Sequence, residues 1–350
     1  MQKIFFPYCG ETMGGSHFSS LLLIKQLKKN FKIIIGIHKS GIFYNYCKNK
    51  KINFKFLNID FFSNSRSTIL NTFFFSINLY FYINFLKKNK IDIIHINEYR
   101  MLNTWALPAY LAGIKKIILH QRSRVPTSRV VTINLSFVTH IVSISKFVQF
   151  SLSKRDQKKS KIIINPIEKI KNFKVKSTNA IGFVANDFKQ KRSDIFFSFA
   201  ERMLKKKEKF NFVVIGNFTE KKVEFIYKKH PILRNKIKFT GFLENPYKIM
   251  KTLKFIICPS ENEGFGRVHL EAAYLNVPCI LNYSGAYREF KRFNLCLFVK
   301  KNNVSNYLNI YKKILNFKLK KKLIKNGNEY NIKNTLPRIH ANKIIKIYKL

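Results

Sequence analysis

Acidic residues are what this chain has least of for its size: 18 Asp and Glu stand against 66 Lys and Arg in 350 residues, a formal charge of +48. An excess of that order favours anionic partners such as nucleic acid, an anionic membrane leaflet or a phosphorylated substrate, and each would respond to salt. It also has a reading that needs no partner. Lys, Asn, Ile and Phe dominate together, as A/T-rich codons would produce, and basic residues spread over solvated faces bind nothing in particular. No nucleic-acid motif, aromatic-and-basic repeat or confined basic stripe accompanies the charge, so nucleic acid is not an expected partner.

Cysteine is sparse too. Cys9, Cys47, Cys258, Cys279 and Cys296 are odd in number, far apart and without a C-x-x-C pair, which excludes a disulfide framework. Three lie in or beside apolar runs, where a free thiol acts as a small hydrophobe in a reducing compartment. The first ten residues have too short an apolar part for a secretory leader, and the expected location is cytoplasmic. The longest apolar stretch, Ile69 to Leu86, is broken by Asn71, Thr72, Ser76, Asn78 and Asn84, whose polar groups are costly in hydrocarbon. A helix buried or partly buried in protein is expected there, rather than one lying at a membrane interface.

Apolar surface, by contrast, is plentiful. Hydrophobic residues make up 46%, with 35 Phe, enough to fill the cores of two domains. A short strand at 3–7, a glycine-containing loop and an apolar-periodic helix at 18–27 open the first half. Further strands are expected at 32–37, 91–96, 116–119 and 139–143, alternating with helices. Around Ile162 a strand ends in an Asn-Pro dipeptide at 165–166, and this with the Lys-rich stretch to Asn179 marks a linker. The scheme then restarts with a strand at 180–185, a helix at 193–206 and strands at 211–215, 236–240, 253–258 and 278–281. The boundaries read as a first domain over 1–168, a second over 169–335 and a basic amphipathic helix over 336–350 that can cross back to the first. Two doubly wound, Rossmann-like α/β domains facing a central cleft would gather strand-end loops and helix N-termini around a ligand.

The densest local signal is Pro259-Ser-Glu-Asn-Glu-Gly-Phe-Gly-Arg-Val-His-Leu-Glu-Ala-Ala: a strand end, a Gly-x-Gly loop and a helix opening near Arg267. Gly264 and Gly266 let backbone N–H groups approach a ligand, and the helix N-terminus adds partial positive charge suited to a diphosphate. Glu263 precedes the loop and Glu271 lies about a turn into the helix, so the two carboxylates can meet different parts of one ligand. This segment resembles glycosyltransferase family 4, the retaining enzymes of GT-B fold, whose hallmark is Glu-(seven residues)-Glu within P-S-x-x-E-G-F-G-x-x-x-x-E-A. Glu263 and Glu271 have that spacing. The likeness extends to Ile237-Lys-Phe-Thr-Gly before the segment and to Pro278 and Gly285 after it.

The resemblance implies roles. Glu271 would hold the nucleotide ribose, and Glu263 would lie by the donor sugar with the backbone of Gly264, Phe265 and Gly266. Gly182-Phe-Val-Ala-Asn-Asp-Phe-Lys-Gln-Lys-Arg is similar to the family's phosphate loop, with Lys191 as its lysine. The family's arginine position holds Asn186, which leaves Lys189 or Arg192 to compensate. Glu11-Thr-Met-Gly-Gly-Ser-His is similar to the glycine loop that approaches donor phosphates and acceptor, through Gly14 and Gly15. Leu119-His-Gln-Arg is similar to a strand end whose histidine contacts the donor sugar, making His120 a catalytic candidate and Arg122 a binding one. At Asn165-Pro166 the proline replaces the family's glycine.

On this resemblance His120, Glu263 and Lys191 are the catalytic candidates; Gly14, Gly15, Arg122, Arg192, Gly264, Phe265, Gly266 and Glu271 are the donor-binding ones. The implied activity is retaining transfer of a sugar from a nucleotide-diphosphate sugar to a glycan or lipid-linked acceptor, in bacterial surface polysaccharide or lipo-oligosaccharide synthesis. An anionic membrane surface at the inner face of the plasma membrane is a further expected partner. No cofactor and no metal are expected: the sequence has no His/Cys/Asp ligand spacing, no G-x-x-x-x-G-K-[ST] loop and no Asp-x-Asp pair of the kind metal-dependent sugar transferases use. The other reading is a basic protein that kept this fold, lost the activity and binds membrane or nucleic acid, since fold does not fix function.

Overall fold

A computed structural model describes residues 1–62, 67–170 and 174–350. Three residues of the expected linker, 171–173, lie outside the described residues. The chain divides into two units, Met1–Pro166 with Pro337–Leu350, and Ile167–Leu336.

The first unit's strands are runs of Ile, Phe and Val with little polar alternation, because each sheet face is covered. They are β1 (Lys3–Tyr8), β2 (Lys32–Ile37), β3 (Lys55–Phe56), β4 (Ile93–Ile96), β5 (Lys116–Gln121), β6 (His140–Ser143) and β7 (Ser160–Ile162), in one parallel sheet of order β3-β2-β1-β4-β5-β6-β7. Register pairs Ile4 with Ile33 and Phe6 with Ile35. Successive side chains alternate faces, so Ile4, Phe6 and Tyr8 enter one core with Ile118 and Val142, while Phe5 enters the other with Ile94, Leu119 and Trp105. Strand order reverses between β1 and β4, the kind of switch point at which open α/β sheets bind ligands.

The last helix, Pro337–Lys349, belongs to this unit. Proline suits its first position because that N–H has no partner within the helix. Its apolar spacing places Ala341, Ile344, Ile347 and Tyr348 in the core, against the helix Gly15–Leu27. Each large side chain so buried contributes about 1.5–3 kcal/mol.

The second unit repeats the plan with β8 (Ala180–Val184), β9 (Asn211–Ile215), β10 (Ile237–Phe239), β11 (Phe255–Cys258), β12 (Cys279–Asn282) and β13 (Leu297–Val299), all parallel in order β10-β9-β8-β11-β12-β13. Its switch point lies between β8 and β11. The helix Arg267–Tyr274 follows β11 and ends as its residues dictate, with Asn276 at φ 61° and Pro278 beyond. Behind it lies the helix Phe317–Asn334. Asn331 Nδ2 donates to the Leu270 carbonyl at 2.7 Å, and a Cβ at Gly327 would stand only 2.7 Å from that of Ala273.

Of the expected alternatives, a buried or a partly buried helix, the second is found. The run at Ile69–Leu86 does form a helix, Thr68–Lys88, with Ser67 accepting from the Leu70 N–H at 3.3 Å. Yet only Asn71, Tyr82 and Leu86 in it are buried, and Ile69, Phe73, Ile77 and Tyr80 face outward. The helix is apolar on all sides but packs on the unit from one side only.

Candidate active site

At the switch point of the second unit, the loops after β8 and β11 are joined by three contacts. The Glu261 N–H donates to the Gln190 carbonyl at 2.7 Å, Lys191 Nζ meets Glu263 Oε2 at 2.6 Å, and the Arg192 guanidinium donates to Glu261 Oε1. β8 and β11 are neighbours in the sheet, so their carboxyl-end loops leave side by side, and this brings together residues 72 positions apart. Lys191 and Glu263 each keep about a fifth of their side-chain surface exposed, so the pair is reachable from solvent.

The loop's path depends on residues with positive φ, Asn262 at φ 55° among them. Gly266, at φ +78°, caps the helix Arg267–Tyr274, and a Cβ there would lie 2.2 Å from the Tyr287 ring. Gly285, at φ +54°, lies against the backbone of Glu263, whose carbonyl accepts from the Ala286 N–H at 2.9 Å. Asn282 Nδ2 and Ser284 Oγ both donate to the Ser260 carbonyl, at 3.0 and 3.1 Å. Phe265 is buried on Phe290, so its backbone, rather than its ring, is what the loop offers a ligand. Glu271 is nearly buried, and its Oε1 accepts from Arg267 Nε at 3.0 Å on the same helix.

Two candidates are already engaged. Arg192 also donates from Nε to Asp194 at 3.0 Å, so between Asp194 and Glu261 its guanidinium braces the loop. Asn186, at the family's arginine position, accepts from the Asn217 N–H at 2.9 Å and ties the loops after β8 and β9 together. Glu261 was not singled out by sequence reasoning. Asn302 supports it at 3.1 Å, and the only local hint was a third carboxylate in the motif.

In the first unit, the glycine loop after β1 is held from both ends. Gly14 caps the helix Gly15–Leu27 and donates its N–H to His17 Nδ1 at 3.3 Å, and His17 Nε2 meets Glu98 Oε1 at 3.0 Å. Glu11 is held by Lys39 at 2.9 Å and Arg100 at 2.5 Å, and these hydrogen bonds keep its carboxyl below the usual range. Gly15 is the first residue of the helix.

His120, expected to open toward a ligand at its strand end, is instead fully buried. It belongs to a row of rings. Tyr348 Oη meets His95 Nδ1 at 2.6 Å, His95 Nε2 meets His120 Nδ1 at 3.1 Å, and His120 stacks on His340 with centroids 5.6 Å apart. Burial, then the Arg122 charge, pushes the His95 and His120 pKa values well down and that of His340 to about 3, so all three are neutral at pH 7. Arg122, two residues on and partly exposed, donates to Asn165 Oδ1 and, at 3.0 Å, to Asn97 Oδ1. Among the described residues, no group of three His, Cys, Asp or Glu is placed to hold a metal ion.

Two doubly wound parallel units, the second bearing a basic-acidic pair and a glycine-capped helix at its switch point, make up the GT-B architecture. Residues 165–330 match the family model for Glycosyl transferases group 1, and the chain carries a domain of that family. Along the sequence it is similar to the capsular polysaccharide biosynthesis glycosyltransferase CapH of Staphylococcus aureus, 26% identical over 315 residues, or 80% of this chain and 81% of that protein. It is also similar to the O-antigen biosynthesis glycosyltransferase WclY of Escherichia coli, 33% identical over 99 residues; that match spans 28% of this chain and only about a quarter (27%) of the relative. The crystal structure of Anabaena Alr3699/HepE in complex with UDP and glucose has the same fold, with a TM-score of 0.80, 14% identity and all of both chains covered.

Proposed function

We propose that this glycosyltransferase moves a sugar, with retention of configuration, from a nucleoside-diphosphate sugar to a glycan or lipid-linked acceptor during assembly of a bacterial surface polysaccharide or lipo-oligosaccharide. The observation that carries the proposal is the Lys191–Glu263 pair beside the Gly266 cap, with Glu271 on the helix that follows. The bond from the anomeric carbon to the diphosphate oxygen breaks, a bond to an acceptor hydroxyl oxygen forms, and that hydroxyl gives its proton to the departing diphosphate. Negative charge grows on the departing diphosphate, where Lys191 and the N–H groups at the helix start stabilise it. Glu263 orients the sugar and Glu271 takes the ribose hydroxyls. In the first unit we assign Gly14, Gly15 and Arg122 to ligand contact, with His120 standing behind Arg122. CapH and WclY, named for capsular and O-antigen synthesis, support the pathway, and the UDP complex of HepE supports the donor class.

The reading needs no metal, because Lys191 supplies the positive charge, and it places the chain in the cytoplasm, attached to the inner leaflet by its basic surface. A thermal-shift screen of UDP-, GDP-, ADP- and CMP-sugars tests it: one donor should raise the melting temperature, and transfer from that donor should survive EDTA. No stabilisation by any donor removes the reading. A strict Mg²⁺ or Mn²⁺ requirement removes its electrostatics.

A further inference from the structure

The helix Thr68–Lys88 is the surface feature that donor chemistry leaves unexplained. Of the residues in its most apolar stretch, only 17% are buried. Asn71, Tyr82 and Leu86 fasten one side to the core; beside it lies the helix Tyr99–Leu111, which packs in turn on Arg129–Ser136. The other side presents Ile69, Phe73, Ile77, Tyr80 and Phe81, with Ile69 82% and Tyr80 78% exposed. Tyr110 and Leu111 on the neighbouring helix are exposed as well. Contiguous apolar surface of this kind marks a docking face.

Three further observations choose its occupant. Three of the helix's polar side chains turn to its own carbonyls: Thr72 Oγ1 donates to Thr68 at 2.9 Å, Ser76 Oγ to Thr72 at 3.0 Å and Asn78 Nδ2 to Phe74 at 2.8 Å. Groups satisfied in this way need no partner from water or from another protein. The charge in this part of the chain is mostly positive. From 61 to 155, just after Asp60, the only acids are Asp92 and Glu98, and Glu98 is engaged with His17, whereas Lys87, Lys88, Lys90 and Arg129 are exposed. A second copy would bring a like charge of +48 to the same face, which disfavours self-association.

We propose that the exposed side of the helix Thr68–Lys88 seats in the headgroup boundary of an anionic membrane, with its C-terminal lysines on the lipid phosphates. This deepens the attachment reading above and rests on it. The helix is about 31 Å long and lies along the unit's surface, so it inserts sideways and does not span.

The test is sedimentation of the full chain with phosphatidylcholine vesicles with and without phosphatidylglycerol, beside the double variant Phe73→Glu/Ile77→Glu. Both positions are exposed, so the melting temperature and nucleotide-sugar binding should be unchanged. The wild type should bind the anionic vesicles, and the variant should bind them about tenfold or more weakly, since two apolar insertions are lost. Tyr80→Trp, which keeps the charge, should shift its emission to the blue on those vesicles. Equal binding by wild type and double variant, or no blue shift in the bound Trp variant, overturns the helix face while leaving basic attachment in place. A wild type that ignores anionic vesicles removes both. A dimer in lipid-free light scattering that the double variant dissolves would make the face an interface between copies and would also overturn the proposal. The donor screen stands apart from all these outcomes.

Discussion

Trp105 Nε1–H donates to His38 Nε2 at 2.9 Å, which requires that nitrogen to be unprotonated, while His38 Nδ1 faces the Ile59 carbonyl at 3.0 Å. Burial lowers the His38 pKa to about 4, and those of His269 and His340 to about 3. These groups have folded pKa values below the unfolded value of about 6.5, so their contribution to stability is complete above that pH. As pH falls toward the folded values, the unfolded chain takes up protons that the folded one refuses, and stability is lost at up to about 1.4 kcal/mol per pH unit per histidine. Urea midpoints should therefore hold steady above neutrality and fall below about pH 6.5. His38→Gln, which keeps an acceptor for Trp105, should make that fall shallower; an unchanged slope would mean that His38 is not held neutral. At this scale the sequence was readable where partners are local, as in the spacing of Glu263 and Glu271. It was silent on His17–Glu98, 81 residues apart, and on Arg192–Glu261, 69 apart, because only the sheet order brings those residues together. Tyr348, 253 positions from His95, lies in the terminal helix and carried no local signal.

At the scale of elements, the unit β11, glycine loop and helix Arg267–Tyr274 was legible because each part carries its own mark: an apolar run, a Gly-x-Gly turn, and an Asn and Pro closing the helix. β3 and β13 were missed because two and three residues show no periodicity. Which side of the helix Thr68–Lys88 faces outward was missed for a different reason, since apolarity on all sides signals burial without saying what covers each side. The glycine turn yields a prediction of its own. Gly266→Ala puts a Cβ at φ +78° into the Tyr287 ring, a strain on the order of 1–3 kcal/mol. Calorimetry should find a lower melting temperature and weaker nucleoside-diphosphate binding. Full affinity in this variant would show that the left-handed cap is dispensable.

For the whole molecule, the expected breaks at 168/169 and 335/336 compare with observed breaks at 166/167 and 336/337. The doubly wound pattern was legible because parallel strands buried on both faces read as unbroken apolar runs. The terminal helix depends on contacts across the whole chain length: Ile344, Ile347 and Tyr348 fill a core begun by Ile4 and Phe6. Ending the chain at Leu336 removes those side chains, and at about 1.5–3 kcal/mol for each the first unit should unfold well before the second. Proteolysis during a thermal ramp should then spare 167–336; loss of both units together would contradict this division.

The central claim is that the second unit binds a sugar donor through Glu271 at the ribose and Glu263 at the sugar. Isothermal titration of UDP, GDP and ADP into wild type, Glu271→Ala and Glu263→Ala tests it most directly, below the melt of each variant, because Glu271→Ala also strips Arg267 of its carboxylate. One diphosphate should bind the wild type. Glu271→Ala should weaken it by about 1.5–3 kcal/mol, roughly tenfold to a hundredfold, and Glu263→Ala should leave it nearly unchanged while lowering kcat. No binding by any of the three, or a loss for Glu263→Ala as large as that for Glu271→Ala, would contradict the account.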